Sequence, residues 1–189
     1  MLNSNKPKVG SLLISEPFMM DPNFQRSVLL LTQHDQEGTI GYVLNQPTSL
    51  LLSDVLHGFP EGEPFPLYFG GPVAQDSIHF IHHYPQLWDS AEAIDQNGLF
   101  WGGDFEALKQ HIRLGTVKKE DIKFFIGYSG WSPGQLEEEI KDNAWMVCND
   151  YPFELALEHH VDTLWKEALV VMGPKFAHIA QFPQNPQWN

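Results

Sequence analysis

Phe125-Ile-Gly-Tyr-Ser-Gly-Trp-Ser-Pro-Gly-Gln-Leu-Glu-Glu-Glu-Ile140 runs from an apolar stretch through a glycine-rich turn into a helical pattern. Residues 123–128 are rich in β-branched and aromatic side chains and too few to nucleate a helix, so they predict a buried strand. Gly127 and Gly130 flank Tyr128 and Ser129 and provide for positive φ or the close approach of another backbone. Ser132, followed by Pro133 and then Gln135, predicts a capping box with proline at the first helical position. Leu136 and Ile140 mark the buried stripe of that helix. Glu137, Glu138 and Glu139 stand in its first turns, where carboxylates oppose the positive end of the dipole.

Outward from this unit, residues 9–15 predict a first strand, and 16–24 an irregular connector containing Asp21-Pro-Asn23. Residues 27–34 and 39–45 form two β-rich runs around the polar turn Asp35-Gln-Glu-Gly38, which predicts an antiparallel hairpin stopped by Pro47. Residues 49–56 suggest a short helix closed by Gly58, and residues 67–69 run into the sharp Gly70-Gly-Pro72. Residues 77–83 alternate as a half-buried strand, and Asn97-Gly98 signals a tight hairpin. Asp104 predicts the cap of a helix striped with Phe105, Leu108 and Ile112 and ended by Gly115. Residues 144–149 predict another strand. Asp162 predicts the cap of a last helix with Leu164, Trp165, Ala168 and Leu169 inward. Strands and helices do not alternate regularly and no repeat is present, which predicts an α+β fold. The domain is expected to cover residues 9–173, between a flexible N-terminus at 1–8 and a tail at 174–189.

A chain of 189 residues with 42% hydrophobic and 13% aromatic content supports one substantial core. No apolar run is long enough to cross a bilayer, and Met1-Leu-Asn-Ser-Asn-Lys-Pro-Lys8 lacks the apolar centre of a secretion signal, so a cytoplasmic protein with no membrane partner is expected. The lone Cys148 can form no internal disulfide, and its apolar strand context predicts a buried, inert thiol. A net charge of −13 repels nucleic acid, and the close basic pair Lys118-Lys119 is followed at once by Glu120-Asp121. Direct DNA contact is therefore not expected.

Ser129, between two glycines at the end of a strand, is the candidate nucleophile. A nucleophile elbow would place glycine two residues later, where this chain has Trp131. His79, His82 and His83, with His159, His160 and Asp162, are the candidate metal clusters. Along a strand His79 and His82 point to opposite faces, and no metal is expected. Phosphate-binding glycine loops are absent, so no nucleotide cofactor is expected. Arg26, one of two arginines, could clamp an anion bidentately or pair internally with Asp21. Asn45 could orient a ligand or close an Asx turn. Trp131 could be a buried anchor, its indole bonded to a carbonyl or to a side chain such as Asn45, or an open platform for a ligand.

Six ordered motifs accompany Gly127-Tyr-Ser-Gly-Trp131 and Gln135-Leu-Glu-Glu-Glu139. They are Gly10-Ser-Leu-Leu-Ile-Ser-Glu-Pro17, Asp21-Pro-Asn-Phe-Gln-Arg-Ser-Val28, Gly41-Tyr-Val-Leu-Asn-Gln-Pro47, Gly70-Gly-Pro-Val73, Gly98-Leu-Phe-Trp-Gly-Gly103 and Trp165-Lys-Glu-Ala-Leu169. Together they resemble the YqgE/AlgH family of small bacterial proteins. The resemblance implies a complex single α+β domain, with a mixed or largely antiparallel sheet and flanking helices. It also implies a regulator of transcription, with no reaction established. It adds His82 to the candidates, and it implies a cysteine in the first hairpin where this chain has Thr32. The resulting expectation is a regulator acting through a protein partner or small ligand at Arg26, Asn45, His82, Gly127, Tyr128, Ser129, Gly130, Trp131 and Gln135. The alternative is a hydrolase built on Ser129, Arg26, Asn45 and His82.

Overall fold

The computed structural model describes residues 5–59, 64–84, 90–94 and 98–183. Within them the strands are β1 (Leu12–Ser15), β2 (Val28–Asp35), β3 (Gly38–Val43), β4 (Pro47–Leu51), β5 (Pro66–Phe69), β6 (Val73–His82), β7 (Glu92–Ala93), β8 (Phe100–Trp101), β9 (Ile122–Trp131) and β10 (Trp145–Cys148). The helices are α1 (Leu52–Val55), α2 (Phe105–Arg113), α3 (Gln135–Lys141), α4 (Glu154–Leu157), α5 (Leu164–Val171) and α6 (Pro174–Ala177). The sheet runs β10-β1-β2-β3-β9-β6-β8-β7, with β5 on β9 and β4 on β5. Every pairing is antiparallel except β5 with β9. The fold is α+β.

β9 is the strand on which the sheet turns. It pairs with β5 along Phe124–Ile126 and with β6 along Ile122–Ile126 and, after a register shift, at Tyr128, while Ser129–Trp131 pair with Thr39–Gly41 of β3. The pairing with β5 ends and the register with β6 shifts at Gly127, where φ is +67° and a Cβ would lie 2.6 Å from the Gly71 oxygen and 2.8 Å from the Val73 oxygen. Both reasons for a glycine hold there. Gly130 differs from expectation. It pairs with Ile40 at ordinary φ, and a Cβ would meet only the Tyr128 ring, at 3.5 Å.

The strand thus continues through the stretch expected to turn, because β3 supplies it with a partner. The turn comes later. Gln135 N–H donates to the Ser132 oxygen at 3.0 Å, and Gly134 with φ +79° follows Pro133, as a type II turn requires. Helix α3 starts at Gln135, and no side-chain bond caps it. Only the reverse half of the expected box is made, Ser132 N–H donating to Gln135 Oε1 at 3.0 Å.

Residues 47–51, partly expected as helix, pair with β5 and leave α1 only Leu52–Val55. Asp162 does not cap α5. The cap position is Thr163, whose hydroxyl donates to Glu167 Oε1 at 2.5 Å. Asp104 caps α2 as expected, accepting from the amides of Glu106 and Ala107. The hairpin signalled by Asn97-Gly98 is present as the pair Ala93 and Phe100, and residues 95–97 lie outside the described ones. Past Pro174, Phe176, Ile179 and Ala180 are buried.

Both faces of the sheet are covered, which is why β1 and β9 read as nearly continuous apolar runs. Leu12, Ile14, Leu30 and Phe125 meet α5, and Leu13, Leu29, Val43 and Trp131 meet α3. Phe80, Ile122 and Phe124 pack with Leu52 of α1 and Leu108 of α2.

Candidate functional site

Ser129 is buried in β9, and its hydroxyl donates to the Gly70 oxygen at 3.1 Å. Among the described residues no imidazole bonds to it, so no base activates it. The bond instead ties the Gly70-Gly-Pro motif to the Gly127 motif. Tyr128, one residue before, is half-buried and stands edge-on to His79, ring centroids 6.0 Å apart.

Trp131 is buried. Its ring stacks on Phe24 at 6.5 Å and meets Trp145 edge-on at 6.0 Å. Its indole N–H donates to Glu139 Oε2 at 2.9 Å, and the N–H of Trp145 donates to the same oxygen at 2.7 Å. Gln135 Nε2 donates to the other oxygen at 2.9 Å, while its Oε1 holds Ser132. Trp131, Trp145, Gln135 and Glu139 therefore lock α3 against the sheet. Glu139, not Asn45, is the indole's partner.

Asn45 and Arg26 do come together. Asn45 Nδ2 donates to the Arg26 oxygen at 2.8 Å and its Oδ1 accepts from the amide of Val28 at 2.9 Å, while Gln46 Nε2 donates to the Asn23 oxygen at 2.6 Å. This frame holds Arg26 at φ +47°, a left-handed conformation unfavourable for a residue with a side chain. The guanidinium lies 4.6 Å over the Trp165 ring, and Nη2 donates to the Phe182 oxygen at 2.6 Å. Its Nε is buried with no hydrogen-bond partner. The expected ion pair with Asp21 is absent, and no carboxylate among the described residues lies within ion-pair distance. Asp21 Oδ1 accepts instead from the amide of Asn23.

His82 is fully buried, apart from Ser129 and Arg26 in its bonding. Tyr84 N–H donates to Nδ1, so Nε2 carries the proton and donates to the Gly102 oxygen at 2.9 Å. Burial pushes its pKa down to about 4, against the opposing effect of the Gly102 bond, and the imidazole is neutral. The other candidate ligands bond elsewhere: His79 to Ser77, His83 to the Gly98 oxygen and His159 to Tyr68. No metal-holding group of His, Cys, Asp and Glu occurs among the described residues. The Cys148 thiol is buried, which raises its pKa and keeps it protonated.

One group escaped the reading of the sequence. Lys123 in β9 is fully buried, with Nζ donating to the oxygens of Leu44 (2.8 Å) and Glu158 (2.5 Å) and standing 4.3 Å over the Tyr68 ring. Burial pushes its pKa down to about 7, the Glu158 carboxylate acting the other way. Tyr68 donates to His159 Nδ1 at 2.9 Å, since His159 Nε2 must donate to the Lys119 oxygen. A cavity of about 560 Å³ opens beside this cluster, lined by Lys119, Glu120, Phe153, Leu157, Glu158 and His159 among others. A lysine between Ile122 and Phe124 in an apolar strand was the available signal.

Comparisons with known proteins match nearly the whole chain. The AlgH-like family model, DUF179, matches residues 12–177. A UPF0301 protein of Bacteroides fragilis is 39% identical over 187 residues, 99% of this chain and 94% of the relative. One from Chlorobaculum tepidum is 37% identical over 182 residues, 96% of each. The solution structure of the AlgH protein from Pseudomonas aeruginosa superposes with a TM-score of 0.72 at 28% identity, covering 96% of this chain and 98% of that one. A crystal structure from Corynebacterium diphtheriae gives a TM-score of 0.79 at 24% identity over 95% of each chain, a likeness of fold. Carrying these motifs over nearly its whole length, the chain belongs to the AlgH-like, UPF0301 family.

Proposed function

We propose that this chain is a cytoplasmic regulatory protein that acts on transcription through a bound protein partner or small ligand, without contacting DNA itself. The observation that carries the reading is Arg26. Asn45 holds its backbone in a conformation that costs about 1–3 kcal/mol, and strain of this kind gathers at functional sites. Among the described residues its guanidinium has no carboxylate partner, in a chain of net charge −13. Lys119, the nearest approach to a basic patch in the sequence, lies 4.0 Å from Glu120, which supports a protein or ligand target over a nucleic acid. The bond from Ser129 to Gly70 favours binding over hydrolysis. No described helix is long and apolar enough to cross a membrane.

The test is crosslinking capture from the cytosol of the source bacterium with the native chain and with Arg26→Gln, alongside a gel shift on duplex DNA at low salt. Partner recovery that Arg26→Gln abolishes is the expected result. Recovery indifferent to that substitution would remove Arg26 from the site. Retardation of DNA that weakens steeply with salt would overturn the indirect mode.

A further inference from the structure

The surface around Arg26 is apolar as well as cationic. Phe18 and Phe182 stack with ring centroids 6.0 Å apart, and the Phe182 oxygen is the acceptor of Arg26 Nη2. Phe18 and Phe182 are 38% and 39% exposed, and Met20 on the same connector is 90% exposed. Exposed His178 stands edge-on to Phe182 at 6.1 Å. The acids of the connector are turned to its own backbone: Glu16 Oε2 accepts from the amide of Phe18 at 3.3 Å and Asp21 Oδ1 from that of Asn23 at 2.9 Å. Beneath the guanidinium, Trp165 is fixed by its own bond to the Ser15 oxygen at 3.0 Å. The cation is thus held in plane from below and tethered on one edge. Its Nη1 hydrogens bond to nothing among the described residues.

We propose that this face receives a short acidic, aromatic segment of a protein partner, its carboxylate on the Arg26 guanidinium and its apolar side chain on the Phe18–Phe182 stack. The inference rests on the reading that the chain works by binding. Charge complementarity selects the occupant: a cation without a counter-ion among the described residues of an acidic protein attracts a carboxylate, and the planar fork of arginine matches its two oxygens. The exposed rings beside it shield that contact from water and reject a small hydrated anion that cannot cover them. Because Asn45 and Trp165 already fix the arginine, little ordering remains to be done on binding.

The experiment is a titration of ¹⁵N-labelled protein with acetyl-Asp-Phe-amide, acetyl-Lys-Phe-amide and sodium phosphate, following the Trp165 indole N–H and the amides of residues 18–26. Saturable shifts with the aspartyl peptide are expected, weakened at least tenfold by Arg26→Gln and about threefold by Phe18→Ser. The Trp131 and Trp145 indole signals should stay still and report that the variants are folded. Should Arg26→Gln unfold, Phe18→Ser on the exposed rim decides alone. An equal response to the lysyl peptide, tighter binding of phosphate, or no saturable shift would each overturn the proposal. If the peptide fails while capture still depends on Arg26, the chemistry of the segment is wrong and the binding reading stands. If both fail, both fall.

Discussion

Lys123 and Glu139 are both ionisable groups drawn into the fold around β9, one on the strand before Gly127 and the other on the helix after it, and they are accommodated differently. The ammonium of Lys123 is met by two backbone oxygens and the face of Tyr68, none of which carries a full charge. Desolvation therefore dominates, and its pKa falls to about 7. The carboxylate of Glu139 receives three side-chain donors, from Trp131, Trp145 and Gln135. The direction of dependence differs: the lysine depends on its surroundings, whereas the surroundings of Glu139 depend on it, since the two indole N–H groups have no other acceptor among the described residues.

The joint between the two regions is the most sensitive place to break this arrangement. Gly127→Ala forces a left-handed alanine against two carbonyl oxygens, which combines conformational strain with overpacking and should cost about 4 kcal/mol. Denaturant unfolding of the variant would measure it, and a loss below about 1 kcal/mol would show that β9 does not need its kink. Glu139→Ala follows, at about 3 kcal/mol, because each orphaned indole N–H costs about 1–3 kcal/mol. Glu139→Gln retains an acceptor and should lose only about 1 kcal/mol, so equal losses in the two variants would assign the effect to packing.

Lys123 sharpens the contrast through pH. Its folded pKa is depressed from 10.5 to about 7, so between those values the unfolded chain binds more protons than the folded one. Stability should therefore rise with pH across that window, by up to about 1.4 kcal/mol per unit. The raised tyrosines Tyr68 and Tyr84, each pushed up to about 12 chiefly by burial, act oppositely only above their unfolded value near 10. The depressed His79, His82 and His159 add to the rise only near pH 7 and the raised Cys148 thiol opposes it only near pH 9, so comparing unfolding of the native chain and Lys123→Met from pH 7 to 9 assigns the lysine's share, and the substitution should flatten the rise. A slope unchanged in the variant would place its origin elsewhere. Ser132→Ala and Gly130→Ala are the smallest expected effects, under about 0.5 kcal/mol each by thermal melting, because neither removes a side-chain hydrogen bond among the described residues or forces positive φ.

What could be read from the sequence was local. The β2–β3 hairpin and the Asp104 cap depend on neighbours a few residues away, and the positive φ at Gly127 on a conformation that glycine alone adopts freely, so residue type reports these demands directly. The extension of β9 through Trp131 depends on β3, far earlier in the chain, and local propensity carries no record of that partner. The same holds for the start of α3. Ser132-Pro133-Gly134-Gln135 satisfies both a capping pattern and a type II turn, and the pairing of Trp131 with Thr39 is compatible with the turn. Three consecutive glutamates concealed which one faces inward, although Gln135 and Glu139 share the i,i+4 spacing that brings them together. The left-handed backbone at Arg26 was invisible because it is imposed by Asn45 and not by its own side chain.

The position of β1 bears on how the chain comes into being. Leu12–Ser15 sit between β2, made immediately afterwards, and β10, made when most of the chain has already emerged from the ribosome. Throughout that interval the outer edge of β1 offers unpaired amides and carbonyls on a strand of four buried residues, the kind of edge that recruits other nascent chains. Slow, length-dependent closure of this sheet is the expected folding behaviour. Any stall of translation before Cys148 leaves a sticky, hydrophobic intermediate that a chaperone must cover.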